Sequence, residues 1–136
     1  MLPPLLTTRT GRSILIVSRR DEHRARLESA LAAKGFVPSA TASAAECIRL
    51  VRRAPPSAIV MDRTLDDGDG WELIPILKAL SSSRRIPVVA LTSDASRAQV
   101  SRALTLGCDA FLAKPCEPAA LLAQLQQYLD PTTSDA

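Results

Sequence analysis

Aromatic side chains are scarce in this chain: two Phe, one Trp and one Tyr make up 3% of 136 residues, so a core must be built from Leu, Ile, Val and Ala. A chain of this length forms one domain and can bury roughly two-thirds of its unfolded surface without staples. No aromatic RNA-binding motif is present. The net charge is only +3, and the pairs Arg19-Arg20, Arg52-Arg53 and Arg84-Arg85 fall on different elements. Such pairs read as solvated, and nucleic acid is not an expected partner. Cys47, Cys108 and Cys116 are odd in number and lack metal-ligand spacing, as expected of free thiols in a reducing cytoplasm. The single histidine, His23, reads as a surface or boundary residue of the first helix and is not proposed as a phosphohistidine. No apolar run approaches a membrane span, and the opening Met1–Leu6 run is too short for a signal peptide. A soluble cytoplasmic protein without a membrane partner is expected.

Strand and helix patterns alternate along the chain. Ile14–Val17 reads as a first strand, followed by a helix over 21–34 with Leu27, Ala30 and Leu31 on one face and Gly35 as its stop. Phe36–Ala40 reads as a second strand, and its Pro38 suits a sheet edge. Ser43-Ala44-Ala45-Glu46 is a capping box opening a helix that carries Cys47, Ile48 and Val51 and closes at Pro55-Pro56. A third helix over 71–80 contains Pro75, which predicts a kink or a late start. A fourth runs from about Ala95 to Gly107, and a fifth opens near Pro118 and ends near Leu129. Five strands alternating with five helices predict a doubly wound parallel sheet of flavodoxin-like order 2-1-3-4-5, with a ligand crevice between the first and third strands. Residues 1–12 and 131–136 have no pattern and are expected to be a flexible extension and a loose tail around a domain over 13–130.

Three apolar runs end on chemically distinct residues: Ala58–Met61 on Asp62, Val88–Leu91 on Thr92, and Phe111–Ala113 on Lys114. Parallel strand ends share one edge, so an acid, a hydroxyl and an ammonium meet in one crevice. That set suits phosphoryl handling: the carboxylate accepts the group, the hydroxyl binds a transferred oxygen and the lysine offsets the charge. Here the chain, from about Ser13 to Leu129, resembles the receiver domain of two-component response regulators. The resemblance puts Asp62 at the phosphoacceptor position, Thr92 at the switch hydroxyl, Lys114 at the invariant lysine, Phe111 at the aromatic switch position, and Thr64 to Gly70 in the acceptor loop. It implies a cis Lys114-Pro115 peptide and a signalling module rather than an enzyme. Its partners would be a histidine kinase or phosphotransfer protein, or a downstream protein, on the face of helix four, strand five and helix five; a homodimer stays open.

The chain departs from that pattern at the end of the first strand, where the family carries two acidic residues that hold Mg²⁺ and this chain has Ser18 and Arg19. Asp62 alone then faces Lys114 and Arg19, so no cofactor is expected and Mg²⁺ should bind weakly or not at all. Asp21 and Glu22 fall in the first helical turn, where they complement the helix dipole. Arg19 either points to solvent or fills the metal's place and pairs with Asp62 or an anion, and the pairing is the expectation adopted. Two functions remain open: a receiver phosphorylated at Asp62, or a phosphorylation-independent pseudo-receiver that binds a partner constitutively. The missing acids favour weak or absent phosphorylation. A flavin or nucleotide enzyme is set aside, because Ser18-Arg19-Arg20-Asp21 lacks a glycine to cradle phosphate.

Overall fold

A computed structural model describes residues 12–129; apart from Arg12, the expected extension and tail lie outside the described residues. Five strands, β1 (Ser13–Val17), β2 (Val37–Thr41), β3 (Ala58–Asp62), β4 (Val88–Thr92) and β5 (Ala110–Ala113), alternate with five helices, α1 (Glu22–Ala33), α2 (Ala44–Arg53), α3 (Leu73–Ala79), α4 (Arg97–Leu106) and α5 (Pro118–Leu129). The strands form one parallel sheet in the order β2-β1-β3-β4-β5. This is the flavodoxin-like doubly wound fold that the alternation predicts, with Pro38 on an edge strand. Among the described residues, no helix is long and apolar enough to cross a membrane.

The pleat sends successive side chains to opposite faces. Leu15, Val17, Ile59, Met61, Val88 and Ala90 pack with Cys47 and Val51 of α2, Leu73, Ile74 and Leu77 of α3 and Ala103 of α4. Ile14, Ile16, Val60, Val89 and Leu91 pack with Leu27 and Leu31 of α1 and Leu121 and Leu125 of α5. Both faces are covered, which is why β3 and β4 are uninterrupted apolar runs.

Helix boundaries follow local hydrogen bonding. Asp21 precedes α1 as its N-cap and accepts from the Arg24 N–H. Only half of the capping box forms, because Ser43 Oγ accepts from Glu46 N–H while the Glu46 carboxylate turns to Arg49. The predicted 71–80 helix starts late: Gly70–Glu72 is a 3-10 turn, and α3 begins at Leu73. Pro75 thereby falls in the first turn, whose N–H groups have no intrahelical partner. α4 begins two residues after Ala95, because Ser96 is its N-cap and Asp94 Oδ1 accepts from Ser96 N–H. Gly107 ends it with φ 111°, a left-handed conformation that glycine adopts without strain.

Candidate functional site

Register decides what meets at the carboxyl edge. Val17 lies beside Met61, Asp62 beside Leu91 and Thr92 beside Ala113, so the residues that end β1, β3, β4 and β5 converge. Asp62 is 6% exposed, and three donors hold its carboxylate. Lys114 Nζ donates to Oδ2 at 2.7 Å, Ser18 Oγ donates to the same oxygen at 3.0 Å, and the Arg63 N–H donates to Oδ1 at 2.7 Å. A buried carboxylate needs such compensation. The Lys114-Pro115 peptide is cis.

Ser18 is 2% exposed, and its contact with Asp62 was not anticipated from the sequence, although a small hydroxyl residue continuing a buried strand was the signal for it. The expected Arg19–Asp62 contact is not formed. Arg19 is exposed, and among the described residues its guanidinium makes no hydrogen bond or ion pair; only its backbone carbonyl accepts, from Ser18 Oγ at 3.3 Å. The reason is competition: Lys114, reaching in from β5, and the Ser18 hydroxyl already occupy Oδ2.

Thr92 is buried, but its Oγ1 donates to the Asp94 carbonyl at 2.7 Å and accepts from the Asp94 N–H at 2.9 Å. It serves its own turn instead of touching Asp62. Phe111 is half-buried against the core layer beneath α2, α3 and α4. Thr64 is exposed at the start of a short antiparallel ribbon, Thr64–Leu65 with Gly68–Asp69. Gly70 is buried, and a Cβ there would lie 2.1 Å from the Asp62 carbonyl oxygen, so the loop can close over β3 only without a side chain.

A cavity of about 570 Å³ opens above Asp62. Arg19, Arg20, Arg63 and Lys114 line it, against the carboxylates of Asp21 and Asp62, and Thr64 and Ser93 complete the wall. The loop that follows β3 is tied on two sides. Asp67 accepts from Ala44 N–H, Ala45 N–H and Ser43 Oγ at the start of α2. Asp69 pairs with Arg102 of α4 at 2.9 Å. Trp71 is fully buried, and the Arg63 and Arg102 guanidiniums lie over its ring, 5.7 and 5.6 Å from its centre. His23 proves to be a boundary residue whose Nε2 accepts from Cys116 N–H. All three cysteines are free and buried.

A parallel α/β sheet with an acid, a lysine and a hydroxyl residue at one carboxyl edge defines a class of phosphoryl-handling signalling modules. The chain matches the response regulator receiver domain over residues 14–126 and belongs to that family. It is a receiver domain of two-component signalling. Among curated relatives, an uncharacterized 14.6 kDa protein of Leptolyngbya boryana is 31% identical, covering 85% of this chain and 88% of that one. The polar-differentiation response regulator DivK of Brucella ovis is 29% identical, covering 87% and 96%. The receiver domain of the sensor histidine kinase PA1611 of Pseudomonas aeruginosa, crystallised with a magnesium ion coordinated in its active-site cleft, superposes with a TM-score of 0.80. It is 29% identical, covering 88% of this chain and 98% of that one.

Proposed function

We propose that Asp62 accepts a phosphoryl group from the phosphohistidine of a histidine kinase or phosphotransfer protein. An Asp62 carboxylate oxygen attacks phosphorus, the P–N bond breaks, and the imidazole leaves with the electron pair, giving an acyl phosphate on Asp62. The observation that carries this reading is the Lys114 ammonium 2.7 Å from the Asp62 carboxylate at the floor of an open cavity, an acceptor with a fixed charge beside it. Thr92 and Phe111 are the switch residues in this reading, and Thr64 and Gly70 belong to the acceptor loop. The chain is a signalling module of the cytoplasm and not an enzyme. Its partner, a protein or a second copy, would meet the α4–β5–α5 face, where Leu104 and Tyr128 are exposed.

The donor set suits Mg²⁺ poorly. That ion wants near-octahedral oxygen ligation with carboxylates, whereas Ser18 and Arg19 stand where the family has acids. Among the described residues, no three His, Cys, Asp or Glu side chains are grouped to hold a metal. Weak or absent Mg²⁺ binding belongs to the same reading. Incubation with a small-molecule acyl phosphate followed by intact mass measurement tests it. The wild type should gain one phosphoryl group with or without Mg²⁺, and Asp62→Asn none. Absence of any adduct, or an adduct surviving in Asp62→Asn, would overturn the assignment.

A further inference from the structure

We infer that the cavity above Asp62 is a metal-independent binding site for a phosphate-class dianion, held by Arg19 and Arg20. The inference rests on reading this crevice as the phosphoryl-handling site and adds the group that stands in for the missing acids.

The argument begins with which charges are already committed. Asp62 is satisfied by Lys114, Ser18 and the Arg63 N–H. Asp21 caps α1 through Arg24 N–H. Arg63 leans over Trp71 and toward Asp69, 3.9 Å away. Arg19 and Arg20 are different: both line the cavity and are exposed, and among the described residues neither guanidinium makes a hydrogen bond or ion pair. From sequence, Arg20 reads as solvated and Arg19 as facing Asp62 or an anion; the fold places both residues at the wall of one concave site.

The sign and size of the unbalanced charge select the ligand. Four cationic side chains face two carboxylates in the lining, which leaves a surplus of two positive charges. A dianion cancels that surplus, whereas a dication would add to it and meet like-charge repulsion. Guanidinium groups present planar pairs of N–H donors that match phosphate oxygens two at a time. The Thr64 and Ser93 hydroxyls are further donors on the same wall. Tetrahedral oxyanions fit these donors whether free in solution or carried as a monoester, and the shared feature is the doubly charged terminal phosphate.

Titration of the ¹⁵N-labelled full chain with inorganic phosphate, in metal-free buffer at constant ionic strength, tests the inference. Saturable shifts are expected at the Thr64 and Ser93 amides, with affinity at least about tenfold weaker in R19Q/R20Q, the loss of roughly one charge-assisted contact. Because Arg19 and Arg20 are exposed, the variant should keep a native spectrum. R19K/R20K retains the charge and should recover part of the binding. A parallel titration with phosphoserine separates the sources: equal affinity shows that the terminal oxyanion alone is read, and binding of inorganic phosphate only shows a site that closes on the free ion. The inference is overturned if no saturable shift appears, if R19Q/R20Q binds as tightly as wild type, or if binding requires Mg²⁺. Mass measurement on the same samples keeps the two readings apart. Labelling of Asp62 without phosphate binding removes this inference alone, and phosphate binding without labelling removes the acceptor assignment alone.

Discussion

At the scale of single residues, the site is governed by what can approach Asp62. Gly70 is the tightest constraint, since an added Cβ would collide with the Asp62 backbone carbonyl at 2.1 Å. Gly70→Ala should therefore cost about 1–3 kcal/mol, the range for forced overpacking, read as a lower midpoint in urea denaturation. An unchanged midpoint would mean that the loop can shift freely. Cys47 shows the opposite kind of constraint. Burial pushes its thiol up to about 12, so almost no thiolate exists at neutral pH, and the thiolate is the reactive species. A thiol reagent at pH 8 should leave Cys47 unmodified in the native chain and modify it after denaturation, as peptide mapping would show. The Ser18 contact has a plainer lesson: a hydroxyl donates to the carboxylate where an acid would repel it.

At the scale of elements, Asp67 joins the loop after β3 to α2. The N–H groups of Ala44 and Ala45, helped by the Ser43 hydroxyl, hold its carboxyl below the ordinary value of 3.8. The depressed value means that the ionised form is favoured on folding. The stabilisation is present above pH 3.8 and fades as the pH falls through the lower folded value. Asp67→Ala should lower Tm at neutral pH and speed hydrogen exchange at the Ala44 and Ala45 amides. Its deficit relative to wild type should shrink in strong acid; a constant deficit across that range would show that the carboxylate charge is not responsible. The elements themselves were largely legible. Uninterrupted apolar runs marked β3 and β4, Gly35 and Gly107 marked helix ends, and Pro75 marked a kink or a late start, of which the late start is found. The helix starts were less legible where side chains build turns of their own, as Thr92, Asp94 and Ser96 do before α4. The meeting of Asp62 and Lys114 at one sheet edge was legible from the strand ends, but the contacts that loops make with distant elements were not. The Asp69–Arg102 pair and the Asp67 bonds to α2 depend on how loops drape over the sheet. The Arg19–Asp62 expectation failed for the same reason, because the charge that answers Asp62 comes from the far side of the crevice.

At the scale of the molecule, ligand binding and stability are linked, since whatever binds the folded chain raises its Tm. Mg²⁺ in the millimolar range should leave the wild-type Tm unchanged. Ser18→Asp combined with Arg19→Asp adds two carboxylates beside Asp62, and this variant should gain a saturable, Mg²⁺-dependent rise in Tm that Asp62→Asn abolishes. If the variant ignores Mg²⁺, the pocket differs from a metal site in more than its missing acids. A further property follows from the position of Trp71, the chain's only tryptophan. Its indole is sealed from water, with two guanidiniums over the ring, one from the arginine that directly follows Asp62 and the other from α4. Light absorbed selectively by that ring is emitted from a single dry position with one guanidinium from the loop after β3 and one from α4 over its ring. The colour and lifetime of this emission thus record, without any attached dye, whether loop and helix move together or apart.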